Sequence, residues 1–476
     1  DEIYDSDEEY RNLVKTKIPN FARLHPGELT EKQIIQGILN DKLFAMIVCD
    51  ISLPDDWPPE LKAKLHCPPH LKPSEFFDVL PPVFGNCEIK YPDHWSPIMK
   101  EYAAENNIST HNRTLLIAGV KAEQLPITTG YAKFLLTHGF QLTNISQICE
   151  WTPKKAFAEF VNERTEWRRM ADKDPKMKIL ASQGKIEVNQ GYGVSLSNSA
   201  KWTDIKYVTG VRAASKEVNN RLFIKLQNVN SEKEYFEIHK EKLKIEYKFP
   251  SQIGFWILWE SKKHVLQFYF DYILRFINFE DVSPILSDTD SLYLNLSQYT
   301  FEACVKEEMR SFFTYLTKGR CFKVTNIVHI QPDENTFFPR SCCDSCKLSD
   351  SRTPLLFHLE AQGVESWALC SKTYCITNPD ENDDLSIVKF SCKGQRRSNV
   401  KSDGSQYIEA YKNRTSVSAE NFGFIYRVQK GNDSKMVTYQ SLKKSFSFLY
   451  LKRKILDCSC CSLALNIIIR PKKVKL

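Results

Sequence analysis

No hydrophobic run in this 476-residue chain is long enough to span a bilayer. The most apolar stretch, Ile253-Gly-Phe-Trp-Ile-Leu-Trp259, stops at Glu260-Ser-Lys-Lys263, well short of the roughly 20 apolar residues a membrane helix needs. No membrane partner is expected. No secretory leader opens the chain. It starts on an acidic residue instead of Met, which reads as a truncated or processed start. Without a leader, the 15 Cys are expected as reduced thiols of an intracellular protein, with nucleus, mitochondrion and cytoplasm all open. The Asn112-Arg-Thr and Asn413-Arg-Thr glycosylation patterns are then expected to be fortuitous. There is no internal repeat and no low-complexity tract beyond the start, where Asp1 to Tyr10 hold six acidic groups and no basic one.

What is present argues for a folded, multi-part molecule. Hydrophobic residues make up 42% and aromatics 12%, which excludes a disordered chain. The length exceeds one core, so two to four subdomains are expected. The net charge of +7 is unevenly spread. Basic residues gather at Arg164 to Lys185, Lys389 to Lys401 and Lys443 to Lys475, a distribution that suits a polyanion.

Along the chain, Thr30-Glu-Lys-Gln33 predicts a capped helix carrying Ile34, Ile35, Ile38 and Leu39. Leu43 to Cys49 predicts a buried strand that delivers Asp50 at its end. The proline-rich residues 54–97 predict an extended connector. Leu115 to Gly119 predicts a strand, Gly130 to Phe140 a helix, and residues 142–151 another strand. Thr152-Pro153 and Asp174-Pro175 each offer a cap and a first-turn Pro, predicting a helical hairpin over about 152–170 and 174–191. Residues 200–250 predict strands, and residues 252–277 one long buried helix, on which His264 is a core or interface residue.

Two stretches carry chemistry. In Ile285-Leu-Ser-Asp288-Thr-Asp290-Ser-Leu-Tyr-Leu294, apolar residues flank a two-carboxylate turn, predicting strand, turn, strand. Asp288 and Asp290 brought close together repel unless a cation lies between them, and Mg²⁺ is the usual one. A solvated hairpin turn is the alternative. On the second helix of the predicted hairpin, Lys185, Asn189 and Tyr192 share one face. An ammonium, an amide and a phenol so arranged can hold a phosphate, a sugar or base edge, and a ring. Arg164 and Arg168, on the first helix, could add phosphate contacts through their planar forks. Gly191 and Gly193 predict that the second helix ends there.

Lys185-Ile-Glu-Val-Asn189-Gln-Gly-Tyr192-Gly193 has the form KxxxNxxYG, and Asp288-Thr-Asp-Ser291 the form DTDS. In this order they resemble the fingers and palm motifs of family B DNA polymerases. Downstream, Lys372-Thr-Tyr374 is similar to that family's primer-strand KxY element. Glu360 stands 12 residues before it, and Lys389-Phe-Ser-Cys-Lys393-Gly394 approximates a phage-like pattern of the protein-primed branch. Cys49-Asp-Ile, Pro81-Pro-Val-Phe, Phe338-Pro-Arg, Leu369-Cys-Ser-Lys-Thr-Tyr374 and Tyr450-Leu-Lys-Arg-Lys454 resemble the organellar and viral, self-synthesising-transposon type over about residues 30–470.

The resemblance implies an α/β right-hand architecture: a palm with an antiparallel sheet, helical-hairpin fingers and a mixed thumb. The implied parts are an acidic segment and leading helix (1–40), a first palm part with an insertion (41–149), fingers (150–199), a second palm part with the DTDS hairpin (200–330), and thumb (331–476). It implies transfer of dNMP from a dNTP to a primer 3′-hydroxyl, with two Mg²⁺ ions as cofactors. Asp50, Asp288 and Asp290 would be the metal ligands and catalytic carboxylates. Lys185, Asn189 and Tyr192, with Arg164 and Arg168, would bind the dNTP. Glu360, Lys372, Tyr374, Lys389 and Lys393 would hold primer and template DNA without reading sequence. A protein primer stays open as a further partner.

The chain departs from the family at the first palm strand. Where DxxSLYP is usual, it has Asp50-Ile-Ser-Leu-Pro54, with no Tyr to exclude ribonucleotides. Either Asp50 is the missing ligand or the true motif lies upstream of Asp1. No 3′–5′ exonuclease motif set is present. A catalytically inactive, nucleic-acid-binding relic of a mobile element is the second expectation. Cys342-Cys-Asp-Ser-Cys346 contains a CxxC, and Cys458-Ser-Cys460-Cys461 lies far away. A structural zinc needs four ligands, so reduced, partly buried thiols are expected.

Overall fold

The computed structural model describes residues 21–24, 30–91, 93–155, 157–246, 248–319, 337–379, 385–427, 435–458 and 461–470. The acidic start (1–20), Cys460 and the basic residues 471–475 lie outside the described residues. The fold is mixed α/β, built from several small antiparallel sheets with helices packed on them. No helix among the described residues is long and apolar enough to cross a membrane.

The first sheet has the order β1-β6-β2-β5, from β1 (Phe21–Leu24), β2 (Ala45–Ser52), β5 (Ala122–Thr128) and β6 (Gln141–Trp151). Strands β3 (Val83–Ile89) and β4 (Arg113–Gly119) pair separately. Helix α1 (Glu31–Leu39) starts at the expected capping box, with Thr30 and Gln33 bonded reciprocally, and buries Ile34 and Ile38. In β2 every second residue is buried: Ala45, Ile47, Cys49 and Ile51. The strand therefore buries one face, and Asp50 belongs to the other. Helix α2 (Thr129–Thr137) is capped by Thr128 and ends before Gly139, whose φ of +79° suits only glycine comfortably.

The proline-rich stretch is not an extended connector. Pro59 and Pro73 each occupy the first helical position of a short helix, where the absent N–H costs nothing. Phe76 and Phe77, at the end of the second helix, are fully buried and meet the Phe270 ring at 5.3 and 4.8 Å.

Helices α3 (Ala158–Lys173) and α4 (Lys178–Ser195) form the expected hairpin with different limits. Thr152-Pro153 lies ahead of α3 in irregular chain. Asp174 caps only a short turn, accepting from Lys176 N–H at 2.9 Å. Helix α4 runs straight through Gly191 and Gly193 to Ser195. Its end is set by packing: a Cβ on Gly254 would lie 2.3 Å from Ser195 Oγ and 2.5 Å from Leu196 Cγ, so only glycine lets the next long helix approach.

Residues 203–241 form a separate sheet, β7-β9-β8, from β7 (Thr203–Thr209), β8 (Phe223–Asn230) and β9 (Tyr235–Glu241), with helix α5 (Val211–Val218) against it. Helix α6 (Ser251–Gln267) follows and continues through a π-helical turn, Phe268–Ile273. That turn and the residues just after it place Tyr269, Ile273, Leu274 and Phe276 in the largest core, together with residues of β2, β5 and α2. Strands β10 (Val282–Asp288) and β11 (Ser291–Leu296) then make a two-stranded hairpin outside the β2 sheet.

The C-terminal part has a three-stranded sheet of β12 (Glu365–Cys370), β13 (Thr373–Pro379) and β14 (Leu385–Cys392), and a long hairpin of β15 (Ser416–Arg427) and β16 (Lys435–Ser447). Leu369, Cys375, Tyr407 and Phe446 form its own core. The chain then returns to the start: Ile469 is buried in the first core, and Glu123 N–H donates to its carbonyl at 2.9 Å.

Candidate active site

Two hairpin tips meet. The first is the Asp288–Ser291 turn of β10 and β11. Asp290 N–H donates to the Asp288 carbonyl at 2.8 Å across Thr289, whose φ is +61°. This is the φ-positive form of the γ-turn, the rare and strained one. Asp290 is exposed and Asp288 half-buried. The second tip joins β12 to β13 through Ser371 and Lys372, with Lys372 at a φ of +65°. Lys372 Nζ lies 3.7 Å from Asp288 Oδ1. Behind the tips, Tyr293 and Tyr374 hydrogen-bond hydroxyl to hydroxyl, 81 residues apart in sequence, and their rings are 4.5 Å apart. Burial first, then the bond to Tyr293, then nearby negative charge at Glu360 and Asp288 push the Tyr374 phenol above its ordinary range. It is a neutral hydrogen-bonding group.

Further cations surround the tips. Lys262 of α6 is half-buried, its ammonium 4.8 Å from the Phe84 ring centroid. Burial holds it below the usual lysine range, and the Asp288 charge pulls it back up. Lys452 is lowered by burial and then by the repulsion of Lys393. Lys393 itself is exposed. Lys389 is paired with Glu360, so these two predicted DNA contacts partly satisfy each other. Sequence reasoning missed Lys262, Tyr293 and Lys452. The available signal for Lys262 was a lysine pair interrupting an otherwise apolar helix.

On the helical hairpin, Lys185 and Asn189 are exposed and Tyr192 half-buried on α4, leaving their common face open to a ligand. Arg164 does not share that freedom. Its Nε donates to Glu187 Oε2 at 2.8 Å, and its guanidinium lies over the Phe160 and Trp167 rings at 4.2 and 4.5 Å. It is a strut between α3 and α4. Arg168 is half-buried beside Arg352 and Asp172, its charge disfavoured first by burial and then by Arg352.

Asp50 is not brought into a group with Asp288 and Asp290. Among the described residues, the only three His, Cys, Asp or Glu side chains whose ligand atoms lie within 4.8 Å of one another are Cys342, Cys343 and Cys346. Asp50 is occupied locally. Register shifts occur opposite it in both neighbouring strands, and Gln124 and Asn144 there have φ of +49° and +50°. Gln124 N–H and Nε2 donate to Oδ1 at 2.8 and 3.0 Å, and Asn144 Nδ2 to Oδ2 at 2.6 Å. Burial would raise its carboxyl, but the amide donors outweigh that and leave it lowered. Asp50 staples a double β-bulge.

No family model, curated protein or solved structure matches this chain.

The donor set at the hairpin tip fits part of a metal centre. Two carboxylates flank a strained turn, hard oxygen ligands of the type Mg²⁺ takes, and the Lys372 ammonium already supplies positive charge to one of them. The described residues do not add a third carboxylate within ligand range.

Proposed function

We propose that this chain is the polymerase region of a template-directed DNA polymerase, with its reaction centre at the Asp288–Asp290 turn. The carrying observation is the meeting of the two hairpin tips. Lys372 stands 3.7 Å from Asp288, and Tyr374 bonds Tyr293, so two motifs far apart in the sequence share one small surface. Charge balance alone asks for two lysines near two carboxylates. It does not ask for a phenol bonded behind them and a third lysine beside them.

In this reading Asp288 and Asp290 would hold Mg²⁺, which when bound lowers the barrier to alkoxide formation and neutralises the leaving pyrophosphate. A second ion needs a further carboxylate beyond those the described residues bring together. Lys372 orients the primer terminus through its phosphates, and the buried Tyr374 backs the terminal sugar. The Lys185 ammonium holds the triphosphate, and Asn189 and Tyr192 line the nascent base pair. The primer 3′-oxygen attacks the α-phosphorus, a new P–O bond forms, the bond to pyrophosphate breaks, and the hydroxyl proton passes to solvent.

A second reading, a DNA-binding relic without chemistry, is favoured by one observation: Asp50, the expected third ligand, is committed to Gln124 and Asn144. Primer extension on a primed single strand with Mg²⁺ and all four dNTPs decides between them. The polymerase reading expects template-dependent products, loss of at least a hundredfold in rate for Asp290→Ala, and a raised dNTP KM for Lys185→Ala. Duplex binding with no extension in Mg²⁺ or Mn²⁺ supports the relic. Equal extension by Asp290→Ala removes the catalytic assignment.

A further inference from the structure

A second candidate centre shares no residue with the hairpin tips and does not depend on the polymerase reading. Residues 340–350 close on themselves as an irregular turn that runs into a short helix, Asp344–Asp350. Arg340 clamps Asp350: its backbone N–H donates to Oδ2 at 2.9 Å, Nε to Oδ2 at 2.8 Å, and Nη2 to Oδ1 at 2.6 Å. Ser341 N–H donates to the Thr317 carbonyl at 2.8 Å, and Lys347 N–H to the Cys343 carbonyl at 3.0 Å. Inside this segment the Sγ atoms of Cys342, Cys343 and Cys346 all lie within 4.8 Å of one another. Cys346 is buried, and the other two are half-buried.

Three thiols in five residues do not converge for packing alone. Two of the three keep contact with water, and neutral thiols are weak hydrogen-bond partners. A tetrahedral zinc with Zn–S distances of about 2.3 Å sets its sulfurs about 3.8 Å apart, within the observed spread. Soft sulfur ligands exclude Mg²⁺ and Ca²⁺ and select a thiophilic ion. Three thiolates around one Zn²⁺ carry a net negative charge.

We propose that Cys342, Cys343 and Cys346 bind one Zn²⁺ as three thiolate ligands; among the described residues no fourth His, Cys, Asp or Glu lies in range to complete the tetrahedron. Binding displaces the thiol protons to solvent. The ion would pin the 340–350 segment at the point where the chain crosses to the helical hairpin. Immediately beyond it, Arg352 Nη2 meets Asp172 of α3 at 2.6 Å, and Arg169 of α3 donates to Thr353 at 3.2 Å. The site is thus placed to fix the segment that braces α3.

The test uses the full chain, purified with a reductant and without chelator, and reads metal content by mass spectrometry. One equivalent of zinc is expected. Exchange with Co²⁺ should give a thiolate-to-cobalt charge-transfer band and intense tetrahedral d–d bands. Cys346→Ser should lower zinc more than tenfold, and Cys342→Ser, at a half-exposed position, should do the same should the buried substitution unfold the segment. Cys87→Ser, in β3, should leave it at one equivalent. Asp290→Ala should also leave it unchanged, which separates this site from the proposed polymerase centre. A folded chain without zinc overturns the site, as does a cobalt spectrum without the charge-transfer band. Zinc retained in both serine variants, or lost only with Cys458→Ser or Cys461→Ser, overturns the ligand assignment. Copper in place of zinc overturns the choice of ion.

Discussion

Thr289 stands in a conformation a β-branched residue rarely takes. Its φ of +61° crowds Cβ against the carbonyl, and its neighbours are the two carboxylates of the turn. Such strain persists where surrounding structure enforces it, at a cost of about 1–3 kcal/mol. Here the enforcement is the register of β10 on β11, with Asp288 opposite Ser291. Thr289→Gly should therefore stabilise the fold, by about 1 kcal/mol after the added flexibility of the unfolded chain is subtracted, as read from urea unfolding. The same change frees the turn that spaces Asp288 from Asp290, so primer extension should fall about tenfold or more. A glycine variant that is neither more stable nor slower would show that the turn is not strained for a purpose. Asp50 makes the opposite case at this scale. It follows the apolar run in the way a palm ligand would, and nothing in its local sequence separates the two roles. Its partners Gln124 and Asn144 lie on other strands, and the bulges that aim them are tertiary features.

At the scale of elements, what could be read from the sequence depended on whether local chemistry or packing set the boundary. The Thr30 capping box, the α2 helix stopped at Gly139 and the 282–296 hairpin are fixed by neighbouring residues and were legible. Gly191 and Gly193 suggested a helix end, yet α4 continues, because its true end is the contact of Ser195 and Leu196 with Gly254 on α6. The prolines of 54–97 suggested extension, yet two of them open short helices, and the second carries Phe76, with Phe77 at its end, into the core. The β7–β9 unit illustrates a third situation, in which charge fixes a helix on a sheet. Glu217 of α5 bonds Lys206 of β7 and, at 2.7 Å, Lys240 of β9. The hydrogen bond to Lys206, then that to Lys240, lower its carboxyl from the ordinary 4.5 to about 2. A depressed folded-state value means the contribution is complete above about pH 4.5 and is lost as pH falls toward 2. Amide-exchange protection of β7 and β9 should decline across that window in the unmodified chain. In Glu217→Gln it should be lower at neutral pH and nearly flat from 4.5 to 2. A parallel decline in both chains would show that Glu217 does not hold the helix down.

Across the whole molecule, charge placement separates a polyanion-binding protein from one that is merely basic. A net charge of +7 suits either. The difference lies in which cations are already paired. Lys389 is bound to Glu360, Arg164 to Glu187, and Arg352 to Asp172; these have little charge left to offer. Lys372 has only a 3.7 Å contact with Asp288 and is itself 59% exposed. Lys393 is exposed, and its charge disfavours that of the half-buried Lys452. Two like charges that oppose each other leave a local positive potential that a phosphate would relieve. Each phosphate neutralised on a duplex releases about 0.9 of a counterion, so log K against log[salt] falls with a slope of about −0.9 per contact. On a primer-template duplex, Lys393→Ala and Lys452→Ala should each make the slope about one unit shallower, whatever the base sequence. Lys389→Ala should change it by less than half as much, because Glu360 already holds that charge. Fluorescence anisotropy between about 50 and 200 mM salt reads all three. Both DNA readings, the active enzyme and the relic, require this pattern. A flat salt dependence, or equal losses at the paired and unpaired lysines, would mean that the hairpin tips face something other than a nucleic-acid backbone.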